Sequence, residues 1–164
     1  MIFVAVGTQK FPFNRLLKAV DDLIGQGVLS GEVFAQIGHS DYVPRHYAYQ
    51  RFLPREEFQS RINDCDLLIT HSGVATIIAG LKLHKPVVVV PRHAQFGEHV
   101  DDHQRQIAEA FEAQNLVSVW REGDDPAALI AHARAHEYAA YRSGRRAAEE
   151  TIREFLAGMT PRRR

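Results

Sequence analysis

Apolar and polar positions fall in blocks along this chain, and the blocks change period. Ile2 to Val6 is an unbroken apolar run closed by Gly7-Thr8, which predicts a strand buried on both faces. Pro12 opens a helix on which Phe13, Leu16, Leu17, Val20, Leu23 and Ile24 recur at helical spacing, and Gly25, Gly27 and Gly31 mark its end. Val33 to Ile37 predicts a second strand with Gly38-His39-Ser40 behind it, and Tyr47 to Leu53 a shorter third. Pro54 starts a helix carrying Phe58 and Ile62, after which a fourth strand begins at Leu67. Val74 to Leu83 is a helix of small residues, and Val87 to Val90 a β-branched strand expected at the centre of the sheet. A helix over Val100 to Gln114, built on Ile107, Ala108 and Phe111, leads to a last strand at Leu116 to Trp120. The Ala- and Arg-rich remainder from Pro126 to Leu156 is expected to be helical. Strands alternating with helices define an α/β class: a Rossmann-like parallel sheet flanked by helices on both faces.

Composition narrows the picture. With 164 residues and no linker or repeat, residues 1–158 are expected to form one domain and 159–164 a frayed basic tail. Lys plus Arg equals Asp plus Glu at 20 each, so no global field recruits nucleic acid, which is not expected as a partner. The single cysteine, Cys65, precedes a buried strand and is expected to be a core thiol in a reducing compartment. Met1 to Val6 is too short for a signal peptide, and no apolar run approaches a membrane span. A cytoplasmic location is therefore expected.

Ligands of such sheets sit outside the carboxyl ends of the strands, near the switch in strand order. Three loops meet that condition. Ser72-Gly73-Val74-Ala75-Thr76 removes side-chain bulk where a helix begins, so that exposed amides and the helix dipole could hold phosphate oxygens; Gly73 and Ala75 could equally serve close helix–strand packing. Gly7-Thr8-Gln9-Lys10 adds hydrogen-bonding groups and a charge to the same rim, yet matches neither a Walker sequence nor a dinucleotide fingerprint. The third loop carries Asp101, Asp102, His103 and Gln104, whose carboxylates and amides could read a hexose, and Arg92 and His93, which could meet phosphate. Glu98, His99 and His103 raise a metal reading, but the Glu that follows the first His in a zincin is missing, and no metal is expected.

Across roughly positions 1 to 120, Val6-Gly7-Thr8, Phe52-Leu53, Asp66 to Thr76, Lys85 to Pro91 and Asp102-His103-Gln104 occur in an order and spacing that carry a resemblance. The chain resembles the C-terminal, nucleotide-sugar-binding half of GT-B glycosyltransferases of family 28. The likeness is greatest to the small soluble subunits of two-part transferases. These include the eukaryotic subunit that adds the second N-acetylglucosamine to dolichol diphosphate chitobiose precursors, and bacterial PssE-type and EpsF-type exopolysaccharide proteins.

The resemblance implies a UDP-sugar donor, a lipid-linked sugar acceptor, no cofactor, and a membrane-anchored, PssD-like partner that holds the chain at the inner membrane. It places Gly7 and Thr8 by the diphosphate, and Phe52 and Leu53 by the uracil. Ser72, Gly73, Val74, Ala75 and Thr76 would meet phosphate and ribose, and His103 and Gln104 would face the donor sugar. One position departs: Ala79 stands where the family usually has a Glu that grips the ribose hydroxyls. The implied chemistry is inverting transfer, with Asp102, His103 or His71 as candidate general bases unless the base belongs to the partner. PssE-type members use UDP-glucuronic acid, a donor whose carboxylate would suit Arg92, Lys10 or His93. A non-catalytic nucleotide-sugar sensor or scaffold, which Ala79 favours, and an unrelated nucleotide-binding enzyme are the alternatives.

Overall fold

The computed structural model describes residues 1–142, 152–153 and 156–157. Six strands form one sheet: β1 (Ile2–Ala5), β2 (Val33–Gln36), β3 (Ala48–Gln50), β4 (Leu67–His71), β5 (Val87–Val90) and β6 (Ser118–Val119). Their order is β3-β2-β1-β4-β5-β6, and every neighbouring pair is parallel. The chain therefore winds outward one way from β1 through β2 to β3, returns to β4 at its other side, and winds outward again. The switch point lies between β1 and β4, where Ile2 is level with Leu67 and Ala5 with Thr70.

Helices α1 (Asn14–Gly25), α2 (Arg55–Asp64), α3 (Val74–Lys82), α4 (His103–Ala113) and α5 (Pro126–Ala135) cover the sheet. Period-two alternation splits each strand between two cores. Ile2, Val4, Leu67, Ile69, Val88 and Val90 face α1 and α5. Phe3, Ala5, Leu68, Val87 and Val89 face α2, α3 and α4. Burying both faces is why these strands read as continuous apolar runs.

β5 is a buried interior strand paired with both β4 and β6, as expected of a central strand. Three expectations change. The third strand is only three residues long and exposed throughout, because it forms the sheet edge. The helix expected from Val100 starts at His103, after a short 3-10 turn over Ala94–Phe96. Asp101 Oδ1 accepts the His103 N–H and Asp102 Oδ1 accepts the Ala94 N–H, so both acids stabilise turns ahead of the helix. Finally, α5 stops at Ala135 and the chain runs extended past Asn115; residues 152–153 and 156–157 are helical as expected, and the rest of the stretch from 143 to 155 lies outside the described residues. Asn115 receives the Ala139 N–H on its carbonyl, donates Nδ2 to the Glu137 carbonyl and meets His136 Nε2 with Oδ1, contacts that draw the backbone out of the helix. The tail expected at 159–164 lies outside the described residues. Cys65 is buried, its Sγ 3.1 Å from the Ile62 carbonyl, and burial pushes its thiol pKa up.

Candidate functional site

The carboxyl ends of β1 and β4 open onto a cleft of about 470 Å³. Gly7 and Thr8 from the end of β1 and Gly73 to Thr76 at the start of α3 form its base, with His71 between them. The glycines are required by the imidazole. A Cβ on either Gly7 or Gly73 would lie 2.5 Å from His71 Nε2, closer than any side chain tolerates. Gly7 also has φ of +84°, a conformation open to glycine at little cost. Gly38 closes the layer beneath, where a Cβ would meet the Gly7 carbonyl at 2.7 Å.

His71 is buried, with only 7% of its surface exposed. Desolvation, with help from the Arg92 charge, pushes its pKa down to about 3, so the ring is neutral near pH 7. Gln104, at the start of α4 and equally buried, reaches across to it. Its Nε2 lies 3.2 Å from His71 Nδ1, while its Oε1 accepts the backbone N–H groups of Ser72 at 3.3 Å and Arg92 at 3.1 Å. One side chain thus ties β4, β5 and α4 together beneath the cleft.

Two expected phosphate contacts are corrected. Arg92 is fully buried rather than open to a ligand. Its guanidinium lies 4.8 Å from the Phe13 ring centroid and donates to the carbonyls of Val6, Phe11, Pro12 and Glu98. Burial lowers its pKa to about 10, which leaves it charged. Position 92 lies two residues past the end of β5, where its side chain is buried in the core instead of open at the rim. Ser72 is also turned inward: its hydroxyl is buried without a partner among the described residues, and its N–H is taken by Gln104.

The third loop is separate from the cleft. Asp102 lines a neighbouring recess of about 420 Å³ with Pro91, His93 and Gln95. His103 is exposed, its Nδ1 3.3 Å from Gln106 Oε1, and lines neither space. Gln104 lies between these spaces in the packed interior. Glu98, considered as a metal ligand, instead has both carboxylate oxygens engaged by Arg15, at 3.0 and 3.2 Å, and accepts the His93 N–H. That pair fastens the loop after β5 to α1.

On the opposite wall, Leu53 lines the cleft and its N–H donates to Gln36 Oε1 at 2.8 Å. Phe52 is 44% exposed outside the lining, edge-on to His39 at 5.1 Å. Ala79 packs against the core. Sequence reading missed Gln36 and Arg55, both of which line the cleft. Gln36, a lone polar residue ending an apolar strand, carried a readable signal. Arg55, the first residue of α2, gave no such signal, because its place in the lining depends on where that helix sits against the sheet.

The family described as glycosyltransferase family 28 C-terminal domain matches residues 1–155. Subunit ALG13 of the UDP-N-acetylglucosamine transferase of Saccharomyces cerevisiae is 37% identical over 82 residues, covering 49% of this chain and 38% of that protein. The uncharacterized UDP-glucosyltransferase YojK of Bacillus subtilis is 28% identical over 95 residues, covering 56% of this chain and 23% of that protein. Among solved structures, the glycosyltransferase SnogD of Streptomyces nogalater superposes with a TM-score of 0.57 at 18% identity, over 98% of this chain and 40% of its own. MurG of Acinetobacter baumannii gives 0.54 at 16% identity, over 94% of this chain and 49% of its own. These structures share the Rossmann-like, GT-B-type fold of this chain. The chain spans about two-fifths or less of the curated relatives it matches. The chain belongs to the glycosyltransferase family 28 C-terminal domain family.

Proposed function

We propose that this chain is the UDP-sugar-binding, catalytic subunit of a two-component inverting glycosyltransferase that acts on a lipid-linked acceptor in bacterial exopolysaccharide synthesis. The observation that carries the reading is the cleft at the β1–β4 switch point, where Gly7, Gly73 and His71 make a base with little side-chain bulk beside the start of α3. The relatives named as UDP-N-acetylglucosamine transferase subunits support the donor class and the two-part organisation. In this reading the diphosphate lies over Gly7, Thr8 and residues 73–76, with the uracil toward Leu53 and Phe52.

The acceptor hydroxyl attacks the anomeric carbon as the sugar–oxygen bond to the diphosphate breaks. Negative charge then grows on the departing UDP, and fixed amides at the start of α3 meet it with little reorganisation. Asp102 and His103, exposed at the start of α4, are this chain's candidates to take the acceptor proton; a partner residue is the alternative. A carboxylated donor such as UDP-glucuronic acid would meet Lys10 or Arg55 at the rim rather than the buried Arg92. The partner brings the acceptor and holds the subunit at the inner membrane; no helix among the described residues is long and apolar enough to cross one. A thermal-shift comparison tests the donor site: UDP should raise the unfolding temperature more than ADP or GDP. Equal shifts for all three would remove the uridine assignment.

A further inference from the structure

We infer that Gln104 is a positioning residue, which locks His71 in the tautomer carrying its proton on Nε2 and aims that N–H into the cleft as a hydrogen-bond donor to the diphosphate. The inference rests on the proposed donor site, but its first step comes from the hydrogen-bond network alone. Gln104 Oε1 faces two buried backbone N–H groups, those of Ser72 and Arg92. An amide nitrogen placed there would oppose two donors, so the orientation of the side-chain amide is fixed. Its NH₂ group must then face His71 Nδ1, 3.2 Å away. Nδ1 is therefore the acceptor, and the neutral ring carries its proton on Nε2.

The direction of Nε2 follows from the glycines. It sits 2.5 Å from the place a Cβ would occupy on Gly7, and the same distance from that of Gly73. Both glycines line the cleft with His71, and Nε2 has no hydrogen-bonding partner among the described residues. Gln104 itself is only 4% exposed. Both acceptor positions of its oxygen are filled, and one amide hydrogen goes to the ring. It is thus placed to act through His71, not to read a sugar as its sequence position implied.

The test uses the full chain labelled with ¹⁵N histidine. In the wild type, the His71 signals should show a bare Nδ1 and a protonated Nε2; a protonated Nδ1 would overturn the inference. Gln104→Glu keeps an oxygen for the two backbone N–H groups but turns a carboxylate oxygen toward the ring, so Nδ1 should become protonated. An unchanged ring spectrum there would also overturn it. Titrations with uridine, UDP and UDP-glucose separate positioning from sugar contact. Gln104→Ala should weaken UDP and UDP-glucose by a common factor of about ten, the scale of one hydrogen bond to a charged group, and leave uridine unchanged. Weaker UDP-glucose binding with UDP unaffected would make Gln104 a sugar contact and sink the positioning role. If Gln104→Ala does not fold, the two spectra still decide. If wild-type protein binds no UDP, the donor-site reading fails while the tautomer remains measurable.

Discussion

At position 73 the backbone has an ordinary φ of −80°, so only the space beside His71 forbids a side chain. Gly73→Ala therefore isolates the ring's placement from backbone strain. The added methyl must displace the imidazole, at an overpacking cost of about 1–3 kcal/mol in urea unfolding. UDP affinity should fall at least about tenfold, a change of ~1.4 kcal/mol. Unchanged affinity would show that the ring's position does not matter to the ligand. His71 makes a second prediction through its charge. Its folded pKa is about 3 against an ordinary 6.5, so between those values the unfolded chain binds a proton that the folded chain refuses. Stability contributed by the neutral ring is thus complete above about pH 6.5 and declines as pH falls toward 3. Comparing wild type with His71→Gln, the difference in slope of unfolding free energy across that window should approach one proton, about 1.4 kcal/mol per pH unit. Parallel pH curves would mean that the ring is protonated in the folded protein.

At the scale of elements, the loop that leads from β1 into the cleft and the separate loop after β5 are fixed from beneath by arginines. Arg92 links the Val6, Phe11 and Glu98 carbonyls, so one guanidinium joins the end of β1 to the loops before α1 and after β5. Arg15 adds the pair with Glu98 and a 3.1 Å bond to the Pro91 carbonyl. Arg92→Met keeps the apolar stem but strands these acceptors, each costing about 1–3 kcal/mol, so a loss of about 3 kcal/mol or more is expected in denaturant unfolding. A loss below about 1 kcal/mol would show that the carbonyls find other partners. None of this was visible from the sequence, where Arg92 is a cation following a strand and reads as a ligand for phosphate. Which way a side chain leaves a strand end depends on the neighbouring loops, and those are long-range contacts. The helices and interior strands were legible because burial on both faces leaves continuous apolar runs and amphipathic stripes. Ala48–Gln50 was overextended because an exposed edge strand has no such pattern. The break after Ala135 was hidden because it depends on Asn115, twenty residues upstream in a different loop. In the site, Gly7, Thr8, His71 and 73–76 share one cleft as their positions at strand ends implied, and Leu53, named only through the family resemblance, lines it with them. Asp102 and His103 do not join them, since the turn at Ala94–Phe96 and the Arg15–Glu98 pair carry that loop to an adjacent recess.

On the proposed reading, the described residues offer one wall of a reaction site. Its cleft and the recess beside Asp102 both open at the carboxyl end of a single sheet, and the described residues hold no second nucleotide-binding unit to face them. A donor bound over Gly7 and Gly73 would therefore leave its anomeric carbon toward solvent, where water competes with any acceptor. Transfer to a chosen hydroxyl needs a surface that orients the acceptor, and orientation of that kind supplies several kcal/mol of the barrier reduction, up to about 7–11. On the proposed two-component reading, binding and transfer must then separate experimentally. The 164-residue chain alone should be stabilised by UDP as RT ln(1 + [L]/Kd), about 2.7 kcal/mol at a hundredfold excess over Kd. Sugar transfer to a lipid-linked acceptor should appear only when the membrane-anchored partner is added, and it should be lost again when Gly73→Ala replaces the wild-type chain in the pair. Efficient transfer by the isolated chain would show that this one wall is enough. Transfer in the pair that is unchanged by Gly73→Ala, when the same change weakens UDP binding to the isolated chain, would place the donor on the partner and reduce this chain to a scaffold.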